Sequence, residues 1–167
     1  VESVLQKVVV PIAQGHPILV VVLDGMSYGV FRSLAPGLSA AGWKELGPGD
    51  AGRRLSAVSA VPSVTEVSRA SLLCGAFTTG GSAEEKAGFS KHPGLLAACR
   101  SGRPPLLFHK AELAGPGGAG VSPTVLDRIE KPENRVVGLV LNAVDDHLLK
   151  GDQLHVEWSL ATLQPLR

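Results

Sequence analysis

The sequence predicts an α/β fold in which a mostly parallel sheet is flanked by helices, as a three-layer α/β/α sandwich. Two aliphatic runs, at residues 18–23 and 135–144, lack polar alternation and are typical of strands buried on both faces. Segments with helical spacing alternate with strand-like segments, as in βαβ units. With 167 residues, 44% of them apolar and 19% charged, the chain can form one folded domain with a sizeable core.

The individual elements follow from apolar spacing and from the glycines and prolines that interrupt it. Pro62 ends the second strand, Gly75 ends the helix after it, and a Gly-Pro-Gly-Asp turn occupies residues 47–50. The predicted helices lie at residues 1–15, 28–34, 37–46, 65–73, 95–100, 123–130 and 154–166. The predicted strands lie at residues 18–23, 54–61, 105–109 and 135–144.

Composition excludes some classes of partner and location. The net charge of +1 gives no direct signal for nucleic acid or an anionic membrane, and no apolar stretch is long enough to cross a bilayer. The two cysteines, Cys74 and Cys99, have no CxxC spacing and are expected to be buried thiols of a reducing, cytoplasmic protein. The chain begins without an initiator methionine or a signal-peptide pattern, so we expect an excised piece of a longer protein.

Polar residues that could carry chemistry follow the predicted strands. Asp24 comes directly after the first aliphatic run, Thr65 opens the helix after the second strand, and Asp145, Asp146 and His147 follow the last strand. In a parallel sheet these positions converge on the carboxyl edge, where open α/β sheets bind ligands. Carboxylates, an imidazole and a hydroxyl together suit a divalent metal, which can activate a nucleophile for phosphate-ester chemistry.

Each of these signals also has a purely structural interpretation. An aspartate after a strand is often a cap or turn residue, and the acids at 145–146 could simply solvate a turn. Ser63 and Glu66 fit a capping box at the start of the helix, which is the better interpretation of Ser63. Arg69, one helical turn after Thr65, could face the same ligand, but solvent exposure or a surface ion pair is the expected role. The histidines at 16, 92, 109 and 155 lack metal-type spacing and are expected at the surface or in the core.

Taken together, several segments resemble the alkaline phosphatase superfamily. Val-Val-Leu-Asp24-Gly, followed by Pro-Ser-Val-Thr65-Glu-Val-Ser-Arg69, carries the superfamily resemblance. Glu85-Lys-Ala-Gly-Phe, Pro-Leu-Leu-Phe-His109-Lys and the stretch from 137 to 146 make it more specific for the PglZ domain of bacterial phage-exclusion (BREX-type) systems. The resemblance divides the chain into a leading helix or linker at 1–16 and an N-terminal portion of a PglZ-like domain at 17–167.

The resemblance implies a two-metal site, usually zinc, of a phosphohydrolase. Asp24 would be a metal ligand, Thr65 the nucleophile or its metal-bound equivalent, and Asp145 with Asp146 or His147 the ligands of the other metal. The sequence departs from the superfamily because no histidine stands four residues after either aspartate: Leu149 and Lys150 occupy those positions. The later Asp-His-Gly motif is absent, so the fragment alone is expected to be inactive.

Three functional hypotheses follow. The first is a metal-dependent phosphatase or phosphodiesterase of a phage-defence system, acting on an unidentified phosphorylated substrate beside other defence proteins. The second is a non-catalytic scaffold of a defence complex that binds metal, nucleotide or a partner protein. The third, a Rossmann-like domain, is disfavoured because no GxGxxG follows the first strand.

Overall fold

Three parallel strands form the sheet of the computed structural model, which describes residues 1–47, 54–100, 102–115, 121–142, 144 and 158–159. The strands are β1 (Ile18–Leu23), β2 (Leu106–Phe108) and β3 (Val136–Leu141), in the order β1–β3–β2. Both outer strands pair with β3 in parallel. Helices pack on both faces of this sheet, so the predicted α/β class is confirmed and the described part is consistent with a partial α/β/α sandwich.

Seven α-helices surround the sheet in the described residues, and a π-helical turn at Leu5–Val9 leads into the first of them. The helices are α1 (Val10–Gly15), α2 (Tyr28–Ala40), α3 (Thr65–Cys74), α4 (Ser82–Lys91), α5 (Pro93–Ala98), α6 (Lys110–Leu113) and α7 (Pro123–Glu130). None of the helices in the described ranges is both long and apolar enough to span a membrane.

The core consists of apolar clusters on the two faces of the sheet. On one face the N-terminal segment, α3, α4 and α5 contribute the buried residues Leu5, Val9, Val10, Ala13, Leu73, Phe89 and Leu95. On the other face α6 and α7 contribute Leu113 and Val125, which pack on alternate residues of β3. A third cluster joins α2 to Val144, just after β3. Burial of both sheet faces is the main source of stability of such a layered fold.

The two long strands differ in burial. All six residues of β3 are buried, as expected for a central strand. In β1, Ile18, Val20 and Val22 pack on one core cluster and Leu23 on the other two, whereas Leu19 and Val21 are 38% and 40% exposed. The prediction that β1 is buried on both faces is therefore wrong at Leu19 and Val21, because β1 is an edge strand in the described part of the chain.

Two glycines allow α4 to approach its neighbours closely. A Cβ on Gly138, in the middle of β3, would lie 2.6 Å from Leu107 Cδ1 and 3.1 Å from Phe89 Cζ. A Cβ on Gly88 would lie 2.4 Å from Cys74 Sγ and 2.9 Å from the Cys74 Cα. The missing side chains let Phe89 pack over β3 and bring α4 against α3, which fixes where Glu85, one turn before Phe89, is placed.

Several predicted elements differ from the structure. The helices expected at 28–34 and 37–46 are a single helix, α2, which continues through Pro36 to Ala40. A proline removes one amide donor from a helix, and the later turns can still form their own hydrogen bonds. The strand expected at 54–61 forms no regular element because no described strand pairs with it, and Val58 is 81% exposed.

The remaining predictions are largely confirmed where the structure describes them. The strands at 18–23 and 105–109 and the helices at 1–15, 65–73, 95–100 and 123–130 are present within a few residues, and the strand at 135–144 is shorter. Both cysteines are free thiols, half-buried rather than buried, and burial raises the pKa of each. Apart from residues 158–159, the helix expected at 154–166 lies outside the described residues.

Candidate functional site at the carboxyl edge of the sheet

The carboxyl ends of the three strands place three polar residues at one edge. Asp24 follows β1, His109 follows β2 and Asn142 follows β3. The backbone N–H of Asp24 donates to the Leu141 carbonyl at 2.9 Å, and Asn142 Nδ2 donates to Asp24 Oδ2 at 3.4 Å. The convergence expected for the carboxyl edge of a parallel sheet is thus present for Asp24, with two partners that were not anticipated.

Arg69 of α3 contacts the Asp24 carboxylate directly. Its Nη1 lies 2.6 Å from Asp24 Oδ2, and the side chains of Arg69 and Asp24 are only 10% and 11% exposed. The expectation that Arg69 is exposed or forms a surface ion pair is therefore wrong. The helical register that directs Val67 and Ala70 into the core brings the neighbouring Arg69 to the edge of the sheet.

Glu85 of α4 connects Arg69 to His109. Its side chain is completely buried, and its two oxygens lie 2.9 Å from Arg69 Nε and 2.6 Å from His109 Nε2. Burial alone raises the pKa of Glu85, but the hydrogen bonds from His109 and Arg69 and the charge of Arg69 outweigh it, so this pKa lies below the ordinary value. Glu85 is therefore a buried carboxylate stabilised in its charged form.

The same contacts act on Arg69 and His109. Burial lowers the pKa of Arg69. Its hydrogen bond to Glu85 and the charges of Glu85 and Asp24 raise this pKa by more than burial lowers it, so Arg69 stays charged. An ionised carboxylate only accepts hydrogen bonds, so His109 Nε2 donates its hydrogen bond to Glu85 Oε2. Nδ1 is buried and has no hydrogen-bond partner among the described residues. We call Asp24, Arg69, Glu85 and His109 the edge network.

An open cleft of about 690 Å³ lies beside the edge network. Asp24, Thr65 and Arg69 line it together, with the hydroxyl residues Ser63 and Ser68 nearby. Thr65 is half-buried at the first turn of α3, which begins after Val64 without a side-chain capping hydrogen bond. The predicted capping box of Ser63 and Glu66 is therefore wrong, because the helix begins one residue later than that pairing needs.

A second cleft, of about 450 Å³, lies on the other side of Arg69. Its lining includes Arg69, Ser82, His109, Lys110 and Asn142. Arg69 thus separates two openings at the same edge of the sheet, one with the predicted nucleophile and one with the histidine. In both, the polar groups come from helices packed on the sheet and from the residues that follow its strands.

The predicted metal ligands are only partly described. Asp145, Asp146 and His147 lie outside the described residues, and the departures at Leu149 and Lys150 lie there too. Within the described ranges no group of three or more His, Cys, Asp or Glu side chains could hold a metal ion. Asp24 and Thr65 supply one carboxylate and one hydroxyl, fewer ligands than a divalent cation takes, so these residues alone do not form a metal site.

Glu85, His109 and Asn142 were not predicted to belong to the site. His109 and Asn142 could have been found by the criterion that singled out Asp24, a polar residue directly after an apolar strand. Glu85 has no such signal, because a glutamate in a charged helical segment is expected to be exposed. Only the packing of α4 against α3 and β3 identifies it.

Comparison with known proteins adds no assignment to this geometry. The chain matches no protein-family model, no curated protein and no solved structure. The residues at the carboxyl edge are therefore the basis of the function proposed below.

Proposed function

We propose that the cleft beside the edge network is the site of a metal-dependent phosphatase or phosphodiesterase of the PglZ type, within the alkaline phosphatase superfamily. Thr65 is the nucleophile, and Asp24 and Asp145 are metal ligands. The observation that supports this most is that Asp24 and Thr65, 41 positions apart in the sequence, line one cleft at the carboxyl edge of a parallel sheet.

The position of Thr65 suits attack on a phosphoryl group. The first amide in α3 to bond a carbonyl of the helix start is that of Val67, so the amides of Thr65 and Glu66 have no partner among the described residues and are available at the helix N-terminus. These amides and the helix dipole stabilise negative charge on a bound oxyanion. In the proposed reaction the Thr65 hydroxyl gives its proton to solvent, its oxygen bonds to phosphorus as the bond to the ester oxygen breaks, and the departing alkoxide takes up a proton from water. A second water then cleaves the phosphothreonine, which releases phosphate and restores the Thr65 hydroxyl.

The metal requirement rests on Asp24, which the structure describes, and on Asp145, Asp146 and His147, which lie outside the described residues. Asp24, and Asp145 with Asp146 or His147, would hold up to two divalent ions, of which zinc is the expected kind. Bound there, such an ion would lower the pKa of the attacking hydroxyl and neutralise charge on the phosphoryl group. We further propose a cytoplasmic protein that acts on a phosphorylated substrate together with other phage-defence proteins.

One observation favours a second candidate, a non-catalytic scaffold of a defence complex. Arg69 Nη1 bonds Asp24 Oδ2 at 2.6 Å, so a cationic side chain already neutralises the carboxylate assigned to the metal. The presence of Lys150 where the superfamily has a histidine ligand also favours a non-catalytic scaffold. In this alternative the edge network is structural, and metal, nucleotide or a partner protein binds without turnover.

Metal content and turnover measured on the same variants of the intact protein distinguish the two functions. We expect Asp24→Ala to lower bound zinc, measured by elemental analysis after purification without chelator. We expect Thr65→Ala to lower hydrolysis of phosphomonoester and phosphodiester probes by about a thousandfold or more while zinc is still bound. Ser63→Ala, which removes another hydroxyl from the same cleft, is the matched control and should leave both unchanged.

Two outcomes would contradict the catalytic proposal. Unchanged hydrolysis in both Asp24→Ala and Thr65→Ala would show that the activity originates elsewhere. Absence of bound zinc from the unmodified protein, even after attempted reloading, together with absence of turnover, would favour the scaffold.

A further inference from the structure

A separate groove, of about 460 Å³, lies between α2 and the residues that follow it. Its lining includes Phe31 and Arg32 of α2, Trp43 and Lys44 after the helix, and Arg54. Its volume falls within the range of small-ligand sites. The groove shares no lining residue with either cleft at the carboxyl edge, so the proposed hydrolase function does not account for it.

Aromatic rings at this groove are accessible. Trp43, in the lining, is 67% exposed; Tyr28, outside the lining but with its ring centroid 6.4 Å from that of Phe31, is 63% exposed. The Arg54 guanidinium carbon lies 5.1 Å from the Phe31 ring centroid, so one ring of the groove is covered by a cation. Trp43 offers its indole to solvent, which is a stacking surface for a flat, unpaired base.

The charge of the groove is more positive than that of the chain as a whole. Three cations, Arg32, Lys44 and Arg54, line it beside one acid, Glu45. Arg54 binds Glu45 through Nε at 2.6 Å and Nη2 at 2.9 Å, which neutralises both. Arg32 and Lys44 are exposed and have no acidic partner among the described residues. Two cations without an acidic partner in the described part of the chain therefore line the groove together with an exposed indole.

We propose that this groove binds single-stranded nucleic acid, with an unpaired base stacked on Trp43 and the adjacent phosphates on Arg32 and Lys44. A cationic groove combined with accessible aromatic rings is the general design of single-strand binding surfaces. A duplex offers the same phosphates but keeps its bases stacked on one another, so it lacks the partner for Trp43. The net charge of +1 conceals this site because it averages over the whole chain.

Fluorescence anisotropy of a labelled oligothymidylate, titrated with the protein at several salt concentrations, tests the proposal. With two phosphates neutralised, the plot of log Kobs against log salt should have a slope of about −1.4, and Lys44→Gln should bring it to about −0.7. Trp43→Ala should weaken binding about 5-fold to about 150-fold, the range for loss of one stacked base. Trp43→Phe keeps a stacking ring and should recover part of that loss.

Two further variants sharpen the assignment to this groove. Glu45→Gln releases Arg54 from its ion pair and should strengthen oligonucleotide binding and make the salt slope steeper. Lys91→Gln removes an exposed lysine on α4, outside the groove, and should leave affinity unchanged. Because Trp43 is largely exposed, its substitution should leave the fold intact, and the unfolding midpoint of each variant checks this.

Several results would overturn the proposal. These are no binding at low salt, equal binding of single strands and duplex, affinity unchanged by Trp43→Ala, or an equal loss in Lys91→Gln. Binding of anionic lipid vesicles or of an acidic peptide, but not of the oligonucleotide, would assign the groove to a different partner. None of these outcomes depends on turnover or bound zinc, so the hydrolase proposal stands or fails separately.

Discussion

Two glutamates of this protein make nearly identical contacts in opposite surroundings. Glu85 lies 2.9 Å from Arg69 Nε and 2.6 Å from His109 Nε2, whereas Glu45 lies 2.6 Å and 2.9 Å from two nitrogens of Arg54. The Glu85 side chain is 0% exposed and the Glu45 side chain is 54% exposed. Distances alone would rank the two as equal. Solvent access separates them, because a buried charge depends on its partners whereas an exposed one is solvated and screened.

The two ion pairs also differ in what they join. Glu85 connects α4 to α3 through Arg69, to the end of β1 through Arg69 and Asp24, and to the end of β2 through His109. Glu45 connects only two surface segments beside α2. We therefore expect Glu85 to determine both stability and the geometry of the carboxyl edge, and Glu45 to determine neither.

The largest expected effect is that of Glu85→Ala. It leaves the Arg69 guanidinium and the His109 ring without their buried partner, which should lower the free energy of unfolding by about 3–5 kcal/mol. Urea unfolding at neutral pH measures this loss, as a shift of the unfolding midpoint without a change of the m-value. Glu130→Ala, at the exposed end of α7, is the control. A midpoint shift no larger than that of the control would remove the proposed distinction between the two glutamates.

Gly88→Ala tests the helix packing that buries Glu85. Alanine in a helix interior normally stabilises by about 0.5–1 kcal/mol relative to glycine. Here the new Cβ would lie 2.9 Å from the Cys74 Cα, a backbone atom that cannot move without shifting α3. We expect a net loss of about 1–3 kcal/mol from overpacking.

Gly29→Ala in α2 is the matched substitution, because its Cβ would meet only Ser27 Oγ, at an ordinary 3.6 Å. It should be neutral or slightly stabilising in the same urea experiment. Equal effects of the two glycine substitutions would show that α3 and α4 are not closely packed at Cys74.

The same helix shows where sequence-based prediction stops. The aliphatic runs at 18–23 and 135–144 identify β1 and β3 because apolar side chains have few alternatives to burial. The buried residues of α4 are Glu85 and Phe89, and its glycine lies on the contact with α3. A buried glutamate weakens the apolar periodicity that identifies a helix, so this helix was not predicted.

The residues of the candidate site also fall into two groups, those that the sequence identifies and those that only the packing reveals. Asp24 was found from the sequence because it interrupts an aliphatic run, and Thr65 because it opens a helix after a proline. Their common cleft depends on how α3 packs on the sheet, which no spacing encodes. Arg69 was expected at the surface because isolated arginines usually are. Its burial follows from a glutamate 16 positions later, a pairing that only the fold reveals.

A smaller effect is expected from pH, through Glu85. Its pKa in the folded protein lies below the ordinary value. A carboxyl of this kind contributes stability that is fully present above the unfolded-state pKa, about 4.3, and is lost as pH falls through the lower folded-state pKa. Glu85→Gln resembles the protonated side chain. The stability difference between the unmodified protein and Glu85→Gln should therefore be greatest at neutral pH and shrink as the pH falls below about 4.

Urea unfolding of both proteins between neutral and acidic pH measures this difference. A difference independent of pH would mean that the charge of Glu85 is not what stabilises the edge network. The shape and hydrogen bonds of the Glu85 side chain would then be sufficient to stabilise the edge network. Glu85 and Glu45 would differ in the burial of their side chains and not in the effect of their charge.

The smallest expected effect is that of Glu45→Gln. Arg54 donates two hydrogen bonds to the Glu45 carboxylate, and this contact lowers the pKa of Glu45. Because both side chains are exposed, water and salt replace that contact at little cost, and the unfolding midpoint should not change measurably. The same variant is expected to tighten oligonucleotide binding by releasing Arg54. Unchanged stability with increased affinity would show that this ion pair regulates the charge of the groove, whereas a midpoint shift approaching that of Glu85→Ala would show that exposure does not distinguish the two pairs.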